Sequence, residues 1–281
     1  MTGALLRGRG GRLVVCVLAA GALIALAGAS GSPASPAAPV PAAVGDDLLP
    51  DLLTRPFQEL YVQGVNLRLS NTIANRGVGP MEIYPEPTAG GDCDGDGDPN
   101  NDRIAFQRVF QDSADPRSPG YFVRSQDKAS TSREVGCMVY HPAHSHWHFE
   151  DFALYVLRRE PDGVAVGTST KVSFCVIDTD HPFAGLPGSP PSSHYGNNGC
   201  GASAVEGLSV GWADTYGAYL EGQSIRVTGL PAGNYCLISR ADPVNRLSEL
   251  NDSNNTFHTR IRLDPAAHQV HTRAGACRLG G

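Results

Sequence analysis

Four histidines fall within eight residues of the chain, in the run from His141 to His148. Three of them, His144, His146 and His148, are spaced by two, and residues two apart in an extended strand point to the same face. Imidazole nitrogens suit copper, zinc, iron or nickel, whereas calcium and magnesium prefer oxygen ligands. Trp147 would then point the opposite way, into a core. The spacing predicts a transition-metal site, with a solvated histidine cluster as the alternative.

Lysine is scarce in this sequence. Lys128 and Lys171 are the only two lysines among 22 basic residues. Unlike arginine, lysine can lose its proton and act as a nucleophile. Lys171 precedes the apolar segment 172–177, where burial would favour the neutral amine. Lys171 is therefore a candidate nucleophile, unless the composition simply favours arginine and both lysines are incidental.

Short segments rich in β-branched and aromatic residues, separated by Gly, Pro, Asn and Asp, indicate strands along the whole chain. Six predicted strands cover residues 61–69, 149–157, 171–177, 224–228, 234–239 and 256–263. The 33 glycines and 21 prolines favour turns and long loops. We predict an all-β fold, an antiparallel β-sandwich. The loops at 86–102 and 178–216 are too long to be simple connections and are expected to carry metal or cofactor groups.

The first 29 residues have the pattern of a secretory signal peptide, with three arginines followed by an uncharged apolar run, Leu13 to Leu26. That run is short for a transmembrane helix, which needs about 20 apolar residues. Residues 30–45 consist mainly of Ala, Pro and Ser, which is typical of a disordered linker. We therefore expect a secreted protein without stable membrane insertion, with one domain over residues 46–281.

Charge and cysteine content narrow the possible partners and the compartment. Removal of the three signal-peptide arginines would change the formal net charge from −6 to −9, which argues against nucleic acid binding and favours cationic partners. Six of the seven cysteines would remain, and an even number in an exported protein predicts three disulfides. Many pairings are possible, and proximity favours Cys175 with Cys200. A cysteine-based metal centre is disfavoured because no Cys-x-x-Cys spacing occurs.

At the histidine run the sequence resembles the copper-binding segment of the lysyl oxidase family, in which His141 matches a histidine beside the copper ligands. The resemblance spans about residues 49–263 and continues in the family's order. Its other matching segments are 49–52 at the domain start, 171–179 around the cofactor lysine, 214–218 around the cofactor tyrosine, and 231–235 and 249–255 near the end.

The resemblance implies a function and a cofactor. It implies that His144, His146 and His148 bind Cu(II), that Tyr216 is oxidised to a quinone, and that the amine of Lys171 adds to its ring to give lysine tyrosylquinone. Such a protein is a secreted amine oxidase that uses dioxygen to convert primary amines, either peptidyl lysine or small amines, to aldehydes. Hydrogen peroxide and ammonia are released. The protein positions and tunes this organic cofactor.

The sequence also departs from the family. Vertebrate members carry a histidine, a candidate base, where this chain has Leu154. Asp178 and Asp214, each close in sequence to a cofactor residue, are our candidates for the general base instead. The family cysteine between the first two histidines is absent here, and Cys137, paired with Cys93, is expected to replace its disulfide.

Two sets of oxygen ligands predict calcium sites. The resemblance implies one that joins the start of the domain to its end, formed by Asp51, the Leu52 carbonyl, Glu249, Asn251, Asn254 and Asn255. An ordinary Asn/Asp turn is the alternative. A possible second site resembles an EF-hand loop without its final glutamate or helices, and consists of Asp92, Asp94, Asp96 and Asp98. Carboxylates so close together would repel one another without a cation.

Two other functions remain open from the sequence. One is a three-histidine copper or iron oxygenase without a quinone. The other is a degenerate family member that serves as a calcium-stiffened surface-binding sandwich. Neither needs Lys171 and Tyr216 together, so the presence of both residues favours the amine oxidase.

Overall fold

The computed structural model describes residues 46–86, 91–113, 120–142, 145–169, 173–196, 200–201 and 205–280. The predicted signal peptide and linker, together with His144 and Lys171, lie outside the described residues. A short 3-10 helix spans Asp252–Asn254. No helix in the described part of the chain is long and apolar enough to cross a membrane.

The all-β prediction is confirmed: every strand pairing recorded in the structure is antiparallel. The strands are β1 (Asp47–Leu48), β2 (Leu52–Thr54), β3 (Leu60–Gln63), β4 (Asn66–Leu69), β5 (Asn71–Asn75), β6 (Met81–Pro85), β7 (Asp102–Gln111), β8 (Ser130–His141), β9 (His146–Phe149), β10 (Ala153–Arg159), β11 (Ala165–Thr168), β12 (Glu206–Leu208), β13 (Ala213–Tyr216), β14 (Ser224–Arg226), β15 (Gly233–Ala241), β16 (Thr256–Asp264) and β17 (Gln269–Thr272).

These strands form four sheets. A six-stranded sheet has the order β12-β6-β7-β8-β9, with β1 paired to β7, and a five-stranded sheet has the order β11-β10-β15-β16-β17. Two three-stranded sheets have the orders β13-β5-β2 and β14-β4-β3. One hydrophobic cluster draws residues from all four sheets, among them Leu52, Leu67, Met81 and Leu237, each with no exposed surface. This shared core fixes the sheets that carry the predicted site residues.

Three predicted strands differ from the observed ones. Segment 61–69 is a hairpin of β3 and β4, because Gly64 at φ 58° turns the chain. Segment 149–157 is interrupted at 150–152, where Asp151 has φ 56°. The described part of segment 171–177 forms no strand, and Phe174 makes only an isolated bridge to Phe149. Apolar composition alone does not distinguish a strand from a buried connecting segment.

The β7–β8 hairpin was not among the predicted strands, although it contains the two longest strands of the described fold. The first half of β8, from Ser130 to Glu134, is polar and exposed. Its composition therefore resembles that of a loop. This half of β8 is a strand because it pairs with β7, which is buried at alternating positions such as Ala105 and Gln107. Local composition does not reveal that pairing.

Three disulfides stabilise the domain, in agreement with the predicted number. Cys175 pairs with Cys200 and Cys93 with Cys137, so both predicted pairings are confirmed. The third joins Cys236 on β15 to Cys277 near the C-terminus. Cys137 lies on β8, the strand that pairs with β9. The Cys93–Cys137 disulfide therefore anchors the acidic loop 92–98 next to the histidine strand.

Candidate metal and cofactor site

The histidine strand β9 brings two imidazoles together. The Nε2 atoms of His146 and His148 lie 3.0 Å apart, as expected for residues of one strand face. Two imidazoles that bind one metal ion at about 2.0–2.1 Å place their nitrogens about 3 Å apart. The observed separation therefore fits two adjacent ligands of one transition-metal ion.

The opposite face of β9 explains why these histidines are held in place. Trp147 and Phe149 are 4% and 3% exposed, so the prediction that this face of the strand packs into the core is confirmed. Pairing with β8 aligns His146 with His141 and His148 with Val139. The His141 ring centroid lies 5.1 Å from that of His148, which places His141 beside the pair.

A polar neighbour contacts the second histidine. The hydroxyl of Ser173 lies 3.5 Å from Nδ1 of His148, at the long limit of a hydrogen bond. A partner on the second ring nitrogen orients a histidine ligand and fixes its tautomer. Ser173 also precedes Phe174, whose backbone exchanges two hydrogen bonds with Phe149 at the end of β9. These contacts attach the segment that follows Lys171 in sequence to the histidine strand.

Tyr216 occupies the last position of β13, opposite Asn71 of β5. Its hydroxyl donates a 2.6 Å hydrogen bond to the carbonyl of Cys175, and its ring packs edge-on against Phe174 with centroids 4.7 Å apart. Burial, and secondarily the charge of Asp214, raises the pKa of the Tyr216 phenol well above its ordinary value. The phenol is therefore neutral at physiological pH.

A single cavity joins these groups. It has a volume of about 470 Å³ and is lined by His146, His148 and Tyr216, together with Asp214, Ile177 and Leu220 among others. Residues from β9, from β13 and from the segment after Lys171 thus meet at one place, although they are far apart in sequence. This convergence is the geometric requirement of a metal centre next to a tyrosine-derived cofactor.

The loop after Tyr216 is held by two residues that the sequence analysis did not identify. Arg68 of β4 donates hydrogen bonds to the carbonyls of Ala218 and Leu220, each at 2.7 Å. The carboxylate of Glu59 accepts one from the backbone N–H of Ala218 at 2.9 Å. The alternating sequence of β4 identifies Arg68 as a residue that projects away from the core. It does not identify its partners, which lie about 150 residues further along.

The structure separates the two candidate bases. Asp214 is 2% exposed and lines the cavity. The carboxylate of Asp178 accepts four hydrogen bonds from other loops, donated by the backbone N–H groups of His194, Tyr195 and Ser209 and by the hydroxyl of Ser209. Asp178 is not among the described residues that line the cavity. Its contacts favour a structural role, and Asp214 is the candidate base that faces the cavity.

The first predicted calcium site is partly assembled. Glu249 accepts hydrogen bonds from the Leu52 backbone N–H at 2.6 Å and from the Asn255 amide at 2.8 Å. The Asn254 amide donates to Asp51 at 2.7 Å. Burial raises the pKa of Glu249 to about 8. The domain start and the 249–255 turn are therefore in direct contact.

Two further details bear on whether this cluster fits a cation. The side-chain oxygens of Asn254 and Asn255 are buried without a hydrogen-bond partner among the described residues, and amide oxygens are calcium ligands. Asp51, however, forms an ion pair with Arg76 at 2.9 Å. Asn251 uses its side-chain oxygen to cap the 3-10 helix by accepting from Ser253. The donor set fits a cation best at Glu249, Asn254 and Asn255.

The second predicted calcium site is an exposed loop. Ligand atoms of Asp92, Asp94 and Asp96 lie within 4.8 Å of one another. Asp98 is not part of this group, and its carboxylate accepts instead from the backbone and side-chain amide of Asn100. The base of the loop is fixed by Asp102, which is fully buried and accepts from the backbone N–H groups of the preceding residues 93 and 94.

This chain is similar in sequence to known proteins. A family model described as lysyl oxidase matches residues 124–273. Lysyl oxidase homolog 1 of Homo sapiens is 31% identical over 123 residues, which is 43% of this chain and 20% of the human protein. Protein-lysine 6-oxidase of Gallus gallus is 30% identical over 141 residues, 50% of this chain and 30% of that protein. The same enzyme of Sus scrofa is 30% identical, with 51% of its length covered. The matched region is thus at most about half of each of these relatives.

Proposed function

Because the chain belongs to the lysyl oxidase family, we propose that it is a secreted amine oxidase dependent on copper and on lysine tyrosylquinone. It would use dioxygen to convert primary amines, either peptidyl lysine or small amines, to aldehydes with release of hydrogen peroxide and ammonia. The observation that carries this proposal is that His146, His148 and Tyr216 line the same cavity.

His144, His146 and His148 would hold Cu(II). The 3.0 Å separation of the two described Nε2 atoms supports a shared metal ion, and imidazole is a preferred ligand of copper. Bound copper and the tyrosine-derived quinone would supply the redox chemistry between the amine and dioxygen. Ser173 would orient His148 through its second ring nitrogen.

Lys171 and Tyr216 would form the cross-linked cofactor. Ser173, which contacts His148, follows Lys171 by two residues in the sequence. The hydrogen bond from Tyr216 to Cys175 holds the tyrosine against the same segment, which supports a reaction between the two side chains.

Asp214 would act as the general base. It is a buried carboxylate that lines the cavity two residues before Tyr216. A base within hydrogen-bond reach of the substrate carbon can remove the α-proton of the bound amine. The other carboxylate considered from the sequence, Asp178, is fully engaged by backbone and hydroxyl donors, which supports the choice of Asp214.

Calcium would stabilise the domain at the cluster of Glu249, Asn254 and Asn255, with Asp51 as a neighbouring carboxylate. The two buried amide oxygens without partners support a cation there. The loop with Asp92, Asp94 and Asp96 is the candidate second calcium site, supported by the close approach of its three carboxylates.

The decisive experiment is a peptide map of the copper-loaded, aerobically matured protein. We expect one cross-linked peptide pair that contains Lys171 and Tyr216, a visible quinone absorbance that phenylhydrazine traps, and hydrogen peroxide release with a primary amine. Lys171→Arg retains the positive charge but cannot supply a neutral amine, because arginine keeps its proton up to a pH of about 12. Active enzyme with both residues on separate, unmodified peptides would contradict the cofactor. A fully copper-loaded protein that oxidises no primary amine would contradict the function.

A further inference from the structure

The cavity carries two carboxylates at different depths. Asp214 and His148 are each 2% exposed and mark its buried part, whereas the side chain of Glu221 is exposed. Among the described lining residues none is a lysine or an arginine. The charge of a bound copper ion would lie at the histidines, in the buried part with Asp214. Glu221 therefore adds a separate negative charge on the solvent side of the cavity.

Glu221 sits on a well-fixed turn. The carbonyl of the preceding residue, Leu220, accepts hydrogen bonds from Arg68 at 2.7 Å and from the Gln223 backbone N–H at 3.3 Å. Gln223 in turn accepts from the backbone N–H of Leu69 at 3.2 Å. The backbone position of Glu221 is therefore set by β4, and its carboxylate forms no ion pair recorded within the described part of the chain.

We propose that Glu221 binds a second positive charge on the substrate, so that the preferred substrates are primary amines with another cationic group across an aliphatic chain. This inference rests on the proposed amine oxidase function. The reacting amine would lie by Asp214 and the histidines, and the methylene groups would contact the apolar side chains of Ile177 and Leu220. The second cation would pair with Glu221 at the exposed side. Free diamines and peptidyl lysine next to a basic residue share this chemistry.

The test compares 1,6-diaminohexane with hexylamine, and a lysine peptide flanked by arginine with the same peptide flanked by alanine. For wild-type enzyme we expect kcat/KM to be about twofold to fivefold higher for the dication of each pair, as one exposed ion pair predicts. Glu221→Gln should lower that ratio to about one, mainly through KM. The preference should also weaken at high ionic strength. An effect in only one pair would identify the source of the amine.

The matched control is Glu134→Gln, which neutralises an exposed glutamate on β8 outside this cavity and should leave the ratio unchanged. Calorimetric binding of 1,6-diaminohexane and hexylamine to copper-loaded Tyr216→Phe protein, with and without Glu221→Gln, measures recognition without turnover. Absence of amine oxidation in wild type would overturn the proposed function. The ratio of the calorimetric affinities for 1,6-diaminohexane and hexylamine would still decide the role of Glu221. Equal affinity for the two amines, or an equal loss of both in Glu221→Gln, would overturn the inference.

Discussion

The hydroxyl of Tyr216 donates a hydrogen bond to the backbone carbonyl of Cys175, with 2.6 Å between the two oxygens. Cys175 is four residues from Lys171 in sequence and is tied by a disulfide to Cys200. The predicted cofactor tyrosine is thus held, as a neutral phenol, against the segment that follows the predicted cofactor lysine. The proposed oxidation of Tyr216 to a quinone would remove the hydroxyl proton that makes this hydrogen bond.

Tyr216→Phe keeps the ring that packs against Phe174 but removes the phenol oxygen. We expect the variant to bind copper normally and to develop neither visible quinone absorbance nor a phenylhydrazine adduct. Loss of one hydrogen bond should lower the free energy of unfolding by about 0.5–1.5 kcal/mol, which chemical denaturation measures. Quinone absorbance in this variant would show that another residue forms the cofactor.

His146→Ala removes one imidazole from the pair whose Nε2 atoms lie 3.0 Å apart. The remaining ligands cannot complete the three-histidine site, so stoichiometric copper should be lost, as judged by elemental analysis of dialysed protein. His258→Ala, which removes an exposed histidine on β16, is the matched control and should retain copper. Full copper in His146→Ala would place the metal elsewhere.

Arg68→Met removes the guanidinium that fixes the loop after Tyr216 through the carbonyls of Ala218 and Leu220. Because a displacement of about 1 Å can reduce a rate about a hundredfold, quinone formation should slow by about tenfold or more after copper addition. Copper affinity should not change, since the histidines lie on another strand. The time course of quinone absorbance and a copper titration measure the two effects separately.

The control for that prediction is Arg226→Met on β14, an exposed arginine whose recorded hydrogen bond is local, to Thr228. It should mature at the wild-type rate. Equal rates in the Arg68 and Arg226 variants would show that the loop is positioned without the guanidinium of Arg68. Rescue by Arg68→Lys is expected to be partial, because lysine cannot present the fixed fork of donors that reaches both carbonyls.

Local sequence patterns predicted the parts of this site that depend on neighbouring residues. The period-two histidines and the buried Trp147 of β9 follow from strand geometry alone. The hydrogen bonds from Arg68 to the loop after Tyr216 were not predictable in the same way, because donor and acceptors are separated by about 150 residues. For the same reason the sequence left Asp178 and Asp214 equivalent as bases. Only the fold shows that the first is bound by other loops and the second faces the cavity.

Glu206 should make the stability of the protein fall as the pH rises. Burial raises the pKa of its carboxyl well above the ordinary value of 4.5, and it accepts a hydrogen bond from the Val176 backbone N–H at 2.9 Å. Above about pH 4.5 the unfolded chain loses this proton while the folded protein keeps it. Folding then requires proton uptake, and stability decreases with pH, by up to about 1.4 kcal/mol per unit.

Glu206→Gln keeps the shape of the side chain and an acceptor for Val176 but does not titrate. We expect its melting temperature to exceed that of wild type at pH 7 and to change less between about pH 5 and pH 7. Glu134→Gln, at an exposed position, should retain the wild-type pH dependence. If the melting temperatures of wild type and Glu206→Gln change by the same amount between about pH 5 and pH 7, Glu206 has an ordinary pKa in the folded state.

Calcium removal should destabilise the domain, because an ion that binds only the folded state adds stability by mass action, about 2.7 kcal/mol at a hundredfold excess over Kd. We expect a chelator to lower the melting temperature of copper-loaded protein, and calcium to restore it. Glu249→Gln should abolish most of this response if the cluster with Asn254 and Asn255 dominates. Asp94→Asn combined with Asp96→Asn should abolish it if the acidic loop dominates. An unchanged melting curve in chelator, with copper still bound, would contradict both calcium sites.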